Sequence, residues 1–196
     1  MGAAKGGVSK KAIFGYGIIS VRVSMTNLVS NLGVVASDVV GVGTIRQQLG
    51  AAGYGTDKAI FGYGNASAGN TAVTNLVSNI GVVANDVSGV GTVRSGLASA
   101  NYGSDKAIFG YGSSTALTNL VSNIGVVASD VVGVGTARNF LAAATYGTDK
   151  AIFGYGHDHT VNTAVTNLVS NIGVVASDVS GVGSDRRYLA ASSYGS

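Results

Sequence analysis

Cysteine, proline and tryptophan are all missing from these 196 residues, and charge is scarce, at 11% of positions against about 25% in an average soluble domain. Without cysteine there is no disulfide framework, no thiolate zinc site and no thiol nucleophile. The basic excess is only 12 Lys+Arg over 9 Asp+Glu, a net +3, too little and too scattered for the electrostatic footprint of a nucleic-acid binder. No apolar run approaches the roughly 18 residues of a membrane-crossing helix, and the opening MGAAKGGVSKKAIFGYG lacks the apolar stretch of a signal peptide. The aromatic girdles and long alternating strands of an outer-membrane barrel are also missing. The expectation is a soluble chain with no nucleic acid and no membrane insertion among its partners. What is abundant is glycine, 31 residues, within a sequence that is 46% apolar, enough to build a core and too apolar for disorder.

Comparison of the chain with itself shows a fourfold repeat. KAIFGYG begins at Lys11, Lys58, Lys106 and Lys150, with spacings of 47, 48 and 44 residues. Each copy leads to TNLVSN, then GVVASDV or GVVANDV, then GVG, an arginine, a small apolar segment and Tyr-Gly. From TNLVSN to the next KAIFGYG the distance is always 32 residues, so every change of length falls between FGYG and TNLVSN. Those segments read IISVRVSM (18–25), NASAGNTAV (65–73), SSTAL (113–117) and HDHTVNTAV (157–165). An insertion inside a packed strand would reverse its inside/outside alternation, so segments free to differ belong to loops or strand ends in solvent.

Frequent glycine and a preponderance of Val, Ile, Phe and Tyr favour strand over helix. In the third repeat, strands are expected at 140–146, 150–156, 164–170 and 173–179, with turns at YGTD, the variable segment, SNIG and SGVG. Four short strands in about 45 residues match a propeller blade. The expected fold is therefore all-β: one domain of four repeats (11–57, 58–105, 106–149 and 150–196) forming a four-bladed β-propeller with four-stranded antiparallel blades. The alternative is a β-solenoid or fibre-like repeat. Since the repeats begin on strand two and close on strand one, the strand at 188–194 is expected to complete the first blade and shut the ring, or to swap into a second chain and give a homo-oligomer.

The run Arg138, Leu141–Ala144, Tyr146–Asp149 and KAIFGYG resembles a kelch-type propeller blade, which carries an arginine, a small apolar inner strand, a turn, and a second strand ending in a glycine pair. Here Tyr155 splits the pair Gly154 and Gly156, and the kelch tryptophan is absent. The chain also resembles FGYG-rich repeat proteins of virions and tail fibres of marine bacteriophages. That resemblance implies a place in a virion, with other virion proteins or host surface glycans as partners. A soluble cytoplasmic or extracellular location is the alternative.

Asp38, Asp86, Asp130 and Asp178 each stand eight residues before Arg46, Arg94, Arg138 and Arg186. A catalytic constellation is built once, whereas a fourfold set is what identical blades need at identical joints. The expectation is structural: Asp–Arg pairing within or between blades, with Asn27, Asn75, Asn119 and Asn167 satisfying turn backbone. Asp57, Asp105 and Asp149 are expected in turns. FGYG is no phosphate loop, since no helix pattern follows it; its glycines are expected to permit close strand approach or a bulge. Tyr16, Tyr63, Tyr111 and Tyr155 are either inter-blade packing or a ring of aromatic platforms for sugars. His157 and His159, two apart on one strand side, could chelate a metal, but no further ligand is assigned and the solvated-loop reading is preferred. No catalytic residue, cofactor or metal is expected. Variation on a constant scaffold suits recognition, so the ligand-binding candidates are the divergent residues Arg22, Asn65, Asn70, Ser113, Ser114, His157, Asp158 and Asn162. Topology should gather them on one face with the GVGT turns. The expected function is a non-enzymatic binding or virion structural module, with a purely architectural assembly or decoration role as the alternative.

Overall fold

Short runs rich in Val, Ile, Thr and Phe, closed by Gly, Ser and Asn, form only strands and turns: in the computed structural model, which describes residues 10–195, no helix occurs among the described residues. The elements in chain order are β1 (Ala12–Ile18), β2 (Arg22–Val29), β3 (Arg46–Gln47), β4 (Gly50–Tyr54), β5 (Lys58–Gly62), β6 (Asn65–Ala66), β7 (Gly69–Asn70) and β8 (Thr74–Val77), followed by β9 (Ala98–Tyr102), β10 (Lys106–Gly110), β11 (Thr118–Val121), β12 (Ala142–Tyr146), β13 (Lys150–Gly154) and β14 (Thr166–Val169). They assemble into repeated antiparallel sheets: β1-β2 (sheet I), β4-β5-β8 (sheet II), β9-β10-β11 (sheet III) and β12-β13-β14 (sheet IV), with a small sheet β3-β6-β7 beside them.

Register is the same in every unit. Ile60 faces Ala52 and Leu76, Ile108 faces Ala100 and Leu120, and Ile152 faces Ala144 and Leu168. Beyond each TNLV strand the chain turns at SNxG, where the amide of Gly81 donates to the Ser78 carbonyl. The turn needs φ of +87° at Gly81, a left-handed geometry that costs glycine nothing. The returning valines then bridge back to the strand: Val29 to Val35, Val77 to Val83, Val121 to Val127 and Val169 to Val175, with a second bridge from each Thr to the next Val. Of the four strands expected in the third repeat, 140–146, 150–156 and 164–170 are found in shortened form as β12, β13 and β14, while 173–179 contributes only two isolated bridges, so the sheets hold two or three strands.

Successive sheets stack through their first strands, which carry almost only Gly, Ala, Ser, Asn and Thr and so approach closely. Ser99 Oγ donates to Ala51 O at 2.7 Å, Asn101 Nδ2 to Gly53 O at 2.9 Å, and Thr145 Oγ1 to Asn101 O at 3.2 Å. A Cβ on Gly53 would lie 2.9 Å from Asn101 Nδ2. The core lies between sheets: Tyr16 packs with Phe61 and Val77, Tyr63 with Phe109 and Val121, and Tyr111 with Phe153 and Val169.

The closure expected of the C-terminal strand has no described pairing with β1, which among the described residues pairs only with β2. The segment 188–194 lies beside β12 and the residues that lead into it: the amide of Tyr188 donates to Phe140 O at 3.0 Å and Ser193 Oγ to Thr145 O at 2.6 Å. The small residues that let β9 sit on β4 and β12 on β9 also seat this segment on β12. The stack thus runs on past sheet IV, and no described hydrogen bond returns it to sheet I.

Candidate functional site

Each joint between sheets is assembled from an arginine, a tyrosine, a phenylalanine, an asparagine, an aspartate and a threonine. Arg94 is fully buried, with its guanidinium carbon 4.3 Å from the centroid of the Tyr63 ring of the preceding sheet. Its Nη2 donates to Asn119 Oδ1 and its Nη1 to Thr92 O. Arg46 repeats this with Tyr16, Asn75 and Thr44, and Arg138 with Tyr111, Asn167 and Thr136. Cation–ring stacking is strongest where water is excluded, and guanidinium suits it because it is weakly hydrated. The same burial lowers the pKa values of Arg46, Arg94 and Arg138, opposed by the neighbouring tyrosines and acids; guanidinium stays charged regardless.

Of the Asp–Arg pairs expected within or between blades, one comes within ion-pair distance among the described residues, Arg94 with Asp130 at 3.6 Å, and its partners belong to successive repeats. Asp86, Asp130 and Asp178 each bind a threonine: Thr44 Oγ1 donates to Asp86 at 2.6 Å, Thr92 Oγ1 to Asp130 at 2.7 Å and Thr136 Oγ1 to Asp178 at 2.7 Å. The asparagine amides then tie Asp86, Asp130 and Asp178 to this network and also reach backbone, not in the turns as expected but between the two bridges of each returning segment, at Ala84, Ala128 and Ala176. Burial pushes these three carboxyls up, but the threonine and asparagine hydrogen bonds outweigh it and hold them below the ordinary carboxylate range. Asn links Arg to Asp because a neutral amide accepts from one and donates to the other without desolvating a bare ion pair. The turn acids Asp57, Asp105 and Asp149 pair with the adjacent lysines at 2.8, 3.0 and 3.4 Å, contacts of little energetic weight in solvent.

The FGYG glycines do permit close approach: a Cβ on Gly62 would come 2.7 Å from Phe109 Cζ, and one on Gly110 2.5 Å from Phe153 Cζ. The tyrosine between the glycines takes φ of 63–65° in all four copies and marks a bulge where sheet I shifts register between Gly15 and Gly17. That left-handed geometry turns each ring into the joint, where Tyr63 Oη donates to Val90 O at 3.0 Å and Tyr111 Oη to Val134 O at 3.1 Å. Tyr63 and Tyr111 are wholly buried, and burial pushes both phenols up to about 12. They pack between sheets and offer no ring face to a sugar.

The variable segments gather along one edge. Arg22 Nη2 donates to Asn65 Oδ1 of the next sheet, Asn65 Nδ2 to Asn70 Oδ1, and Asn70 Nδ2 to Ser113 Oγ of the sheet after that. Ser113 Oγ accepts from the Ser95 amide, so this edge lies beside the residues that follow the GVGT turns, as topology implies. Ser114 sits next to it in a left-handed turn with φ of 55°. His157 bridges to both Asn139 and Asn162. Asp158 accepts from the amides of Val161 and Thr160 and from the Thr160 hydroxyl, which together hold its carboxyl down at about 2. His157 Nδ1 accepts from the His159 amide at 3.3 Å, and no group of three or more potential metal ligands occurs among the described residues.

Beside this edge runs a feature the sequence reading missed. Positions 48, 96, 140 and 188 form a backbone ladder, Gly96 N to Gln48 O, Phe140 N to Gly96 O and Tyr188 N to Phe140 O, each with left-handed φ. The ladder floors an open groove of about 270 Å³ lined by Gln48, Leu49, Leu97, Phe140 and Tyr188 among others. The Phe140 and Tyr188 rings stack at 4.4 Å, and Tyr188 is 68% exposed. The signal was its fixed place two residues after each arginine, hidden because Gln, Gly, Phe and Tyr share no chemistry. No family model matches the chain, and no curated protein sequence matches it.

Proposed function

We propose that the chain is a non-enzymatic repeat module that recognises carbohydrate on a host surface through its variable edge, as a component of a virion. The observation that carries this reading is the exposed Tyr188 ring, packed on Phe140 over a groove that Gln48 also lines. Asn139, next in sequence to Phe140, is joined to the variable segment 157–165 by its backbone bridge to His157. An exposed aromatic face suits the apolar face of a sugar ring, and an amide such as that of Gln48 suits its hydroxyls. The repeated acids and bases support a non-enzymatic reading, because Arg46, Arg94 and Arg138 are committed to the joints and fully buried.

Of the two architectures open to such repeats, the blades support both a kelch-like four-bladed propeller and an open stack. A ring demands that sheet IV meet sheet I, and the pairing of β1 with β2 alone among the described residues supports the open, fibre-like form. A purely architectural role is a second reading, favoured by the ladder of apolar side chains on the outer turns, Leu32, Ile80, Ile124 and Ile172, each 71–84% exposed. Exposed apolar side chains repeated at the same turn of every unit suit contact with other proteins of a particle.

Binding to an array of bacterial surface glycans tests the first reading. The wild-type chain is expected to bind, and both Tyr188→Ala and replacement of 157–165 by SSTAL are expected to reduce binding at least tenfold. Absence of binding, or binding unchanged in both variants, would leave the architectural reading standing in its place.

A further inference from the structure

We propose that the two ends of the stack are complementary and that the chain associates head to tail with a second copy of itself, sheet IV of one copy receiving sheet I of the next. This goes beyond glycan recognition and stands on the joints alone. The occupant is fixed by continuity with an interface that the chain already builds three times.

The N-terminal face presents what each joint inserts. Phe14 is 61% exposed, while its counterparts Phe61, Phe109 and Phe153 are 4% exposed or less. Asn27 holds Asp38 and the Ala36 carbonyl as its counterparts do, yet no described arginine donates to it. The Thr–Asp bond that secures the later joints likewise has no described counterpart at Asp38.

The C-terminal face presents what each joint receives. Arg186 lies 3.9 Å from the Tyr155 centroid and donates to Ser184 O, as the other arginines do to their tyrosines and threonine carbonyls, but it is exposed and no described asparagine accepts from it. Gly62 and Gly110 are crowded by the phenylalanine of the next sheet, whereas a Cβ on Gly154 would meet only Thr166 Cγ2 at 3.3 Å. The space that Phe109 and Phe153 fill is open there, and Phe14 of a second copy has the shape for it. Gly183 shows the same vacancy: its counterparts Gly43, Gly91 and Gly135 lie against Asp86, Asp130 and Asp178, while Gly183 has only the Tyr155 hydroxyl at 4.0 Å. Asp38 of the second copy is the group that position takes.

The strand count agrees. Sheet I is two-stranded among the described residues, whereas sheets II, III and IV each begin with a small-residue strand. The segment 190–194, beside β12, has the small-residue composition of such a strand and no strand partner among the described residues. Carried over from the register of β4 on β5, Tyr194 would face Lys11 of the next copy and Ser193 would face Ala12. Because the contact joins two different faces, it leaves a free face at each end and propagates from copy to copy, into a filament wherever the rotation does not close a ring.

The test uses the whole chain. Sedimentation velocity from micromolar to millimolar concentration is expected to show oligomers growing beyond the dimer. Phe14→Ala and Gly154→Ala are expected to shift the association to at least tenfold higher concentration, while Val132→Ser, at an exposed position outside every joint, leaves it unchanged. A cysteine pair, Ala12→Cys with Ser193→Cys, introduced into a chain that has none, is expected to give a ladder of intermolecular disulfide oligomers on oxidation. A monomer at all concentrations, association indifferent to Phe14 and Gly154, or an intramolecular 12–193 crosslink would each overturn the proposal, the last by showing a ring closed within one chain. None of these outcomes bears on glycan binding, which is read separately.

Discussion

At the scale of the residue, one side chain type decides how the stack is held. A buried guanidinium needs its charge faced and its N–H groups used, and Arg94 achieves both with a tyrosine ring, an asparagine oxygen and a threonine carbonyl. Arg94→Met would keep the volume but strand the buried Asn119 oxygen, so it is expected to destabilise the fold by about 3 kcal/mol. The same change at exposed Arg186 is expected to cost no more than about 0.5 kcal/mol. Urea unfolding of the two variants side by side at low protein concentration checks this. The tyrosines give a second expectation. Tyr63 and Tyr111 titrate near 12 in the folded chain and near 10 once unfolded. Their contribution is complete below pH 10 and disappears as pH rises toward 12, so alkaline unfolding that tracks tyrosinate absorbance in that window is the expected result.

Among the elements, the contrast between Gly110 and Gly154 isolates the role of FGYG. Both end a KAIFG strand in the same register, but only Gly110 has the next phenylalanine against it. Gly110→Ala is expected to cost about 1–3 kcal/mol through overpacking, and Gly154→Ala to stay within about 0.5 kcal/mol, measured by chemical denaturation of the monomer. Much at this scale was legible in the sequence. Strand alternation, the SNxG turn and the length-variable connection each follow from local pattern, because hydrogen bonding within a meander joins neighbours in the chain. Two features lay beyond local pattern. The eight-residue Asp–Arg spacing left pairing open within or between blades, and the bonded groups lie in successive repeats, a distinction that spacing cannot carry when every repeat is alike. The ladder at 48, 96, 140 and 188 was invisible because its common property is a backbone angle and not a side chain.

For the whole molecule, the three joints make stability depend on acid. Asp86, Asp130 and Asp178 are held below the ordinary carboxylate range when folded, against about 3.9 when unfolded. As pH falls through and below that value the unfolded chain takes up protons first, and the stabilisation is lost as the folded carboxyls follow. Thermal melting is expected to be level from pH 7 to 5 and to drop steeply below pH 4. Asn substitution at all three aspartates should flatten that drop while lowering stability at pH 7, because the threonine bonds to charged oxygen weaken. The variable edge sits apart from this network, which lets its segments differ while the joints stay constant.

By itself the sequence determined that the chain is a fourfold all-β repeat, where its strands and turns fall, and which short segment of each repeat is free to vary. These are consequences of local alternation, turn chemistry and the counting of copies. Only the tertiary structure decided which repeat each polar group serves, that Tyr16, Tyr63 and Tyr111 are spent inside the joints, and that 188–194 lies beside β12. Identical units can be joined in more than one direction with the same local pattern. The choice among those directions is made by contacts across the joint, through the fit of Phe153 over Gly110 and of 188–194 on β12.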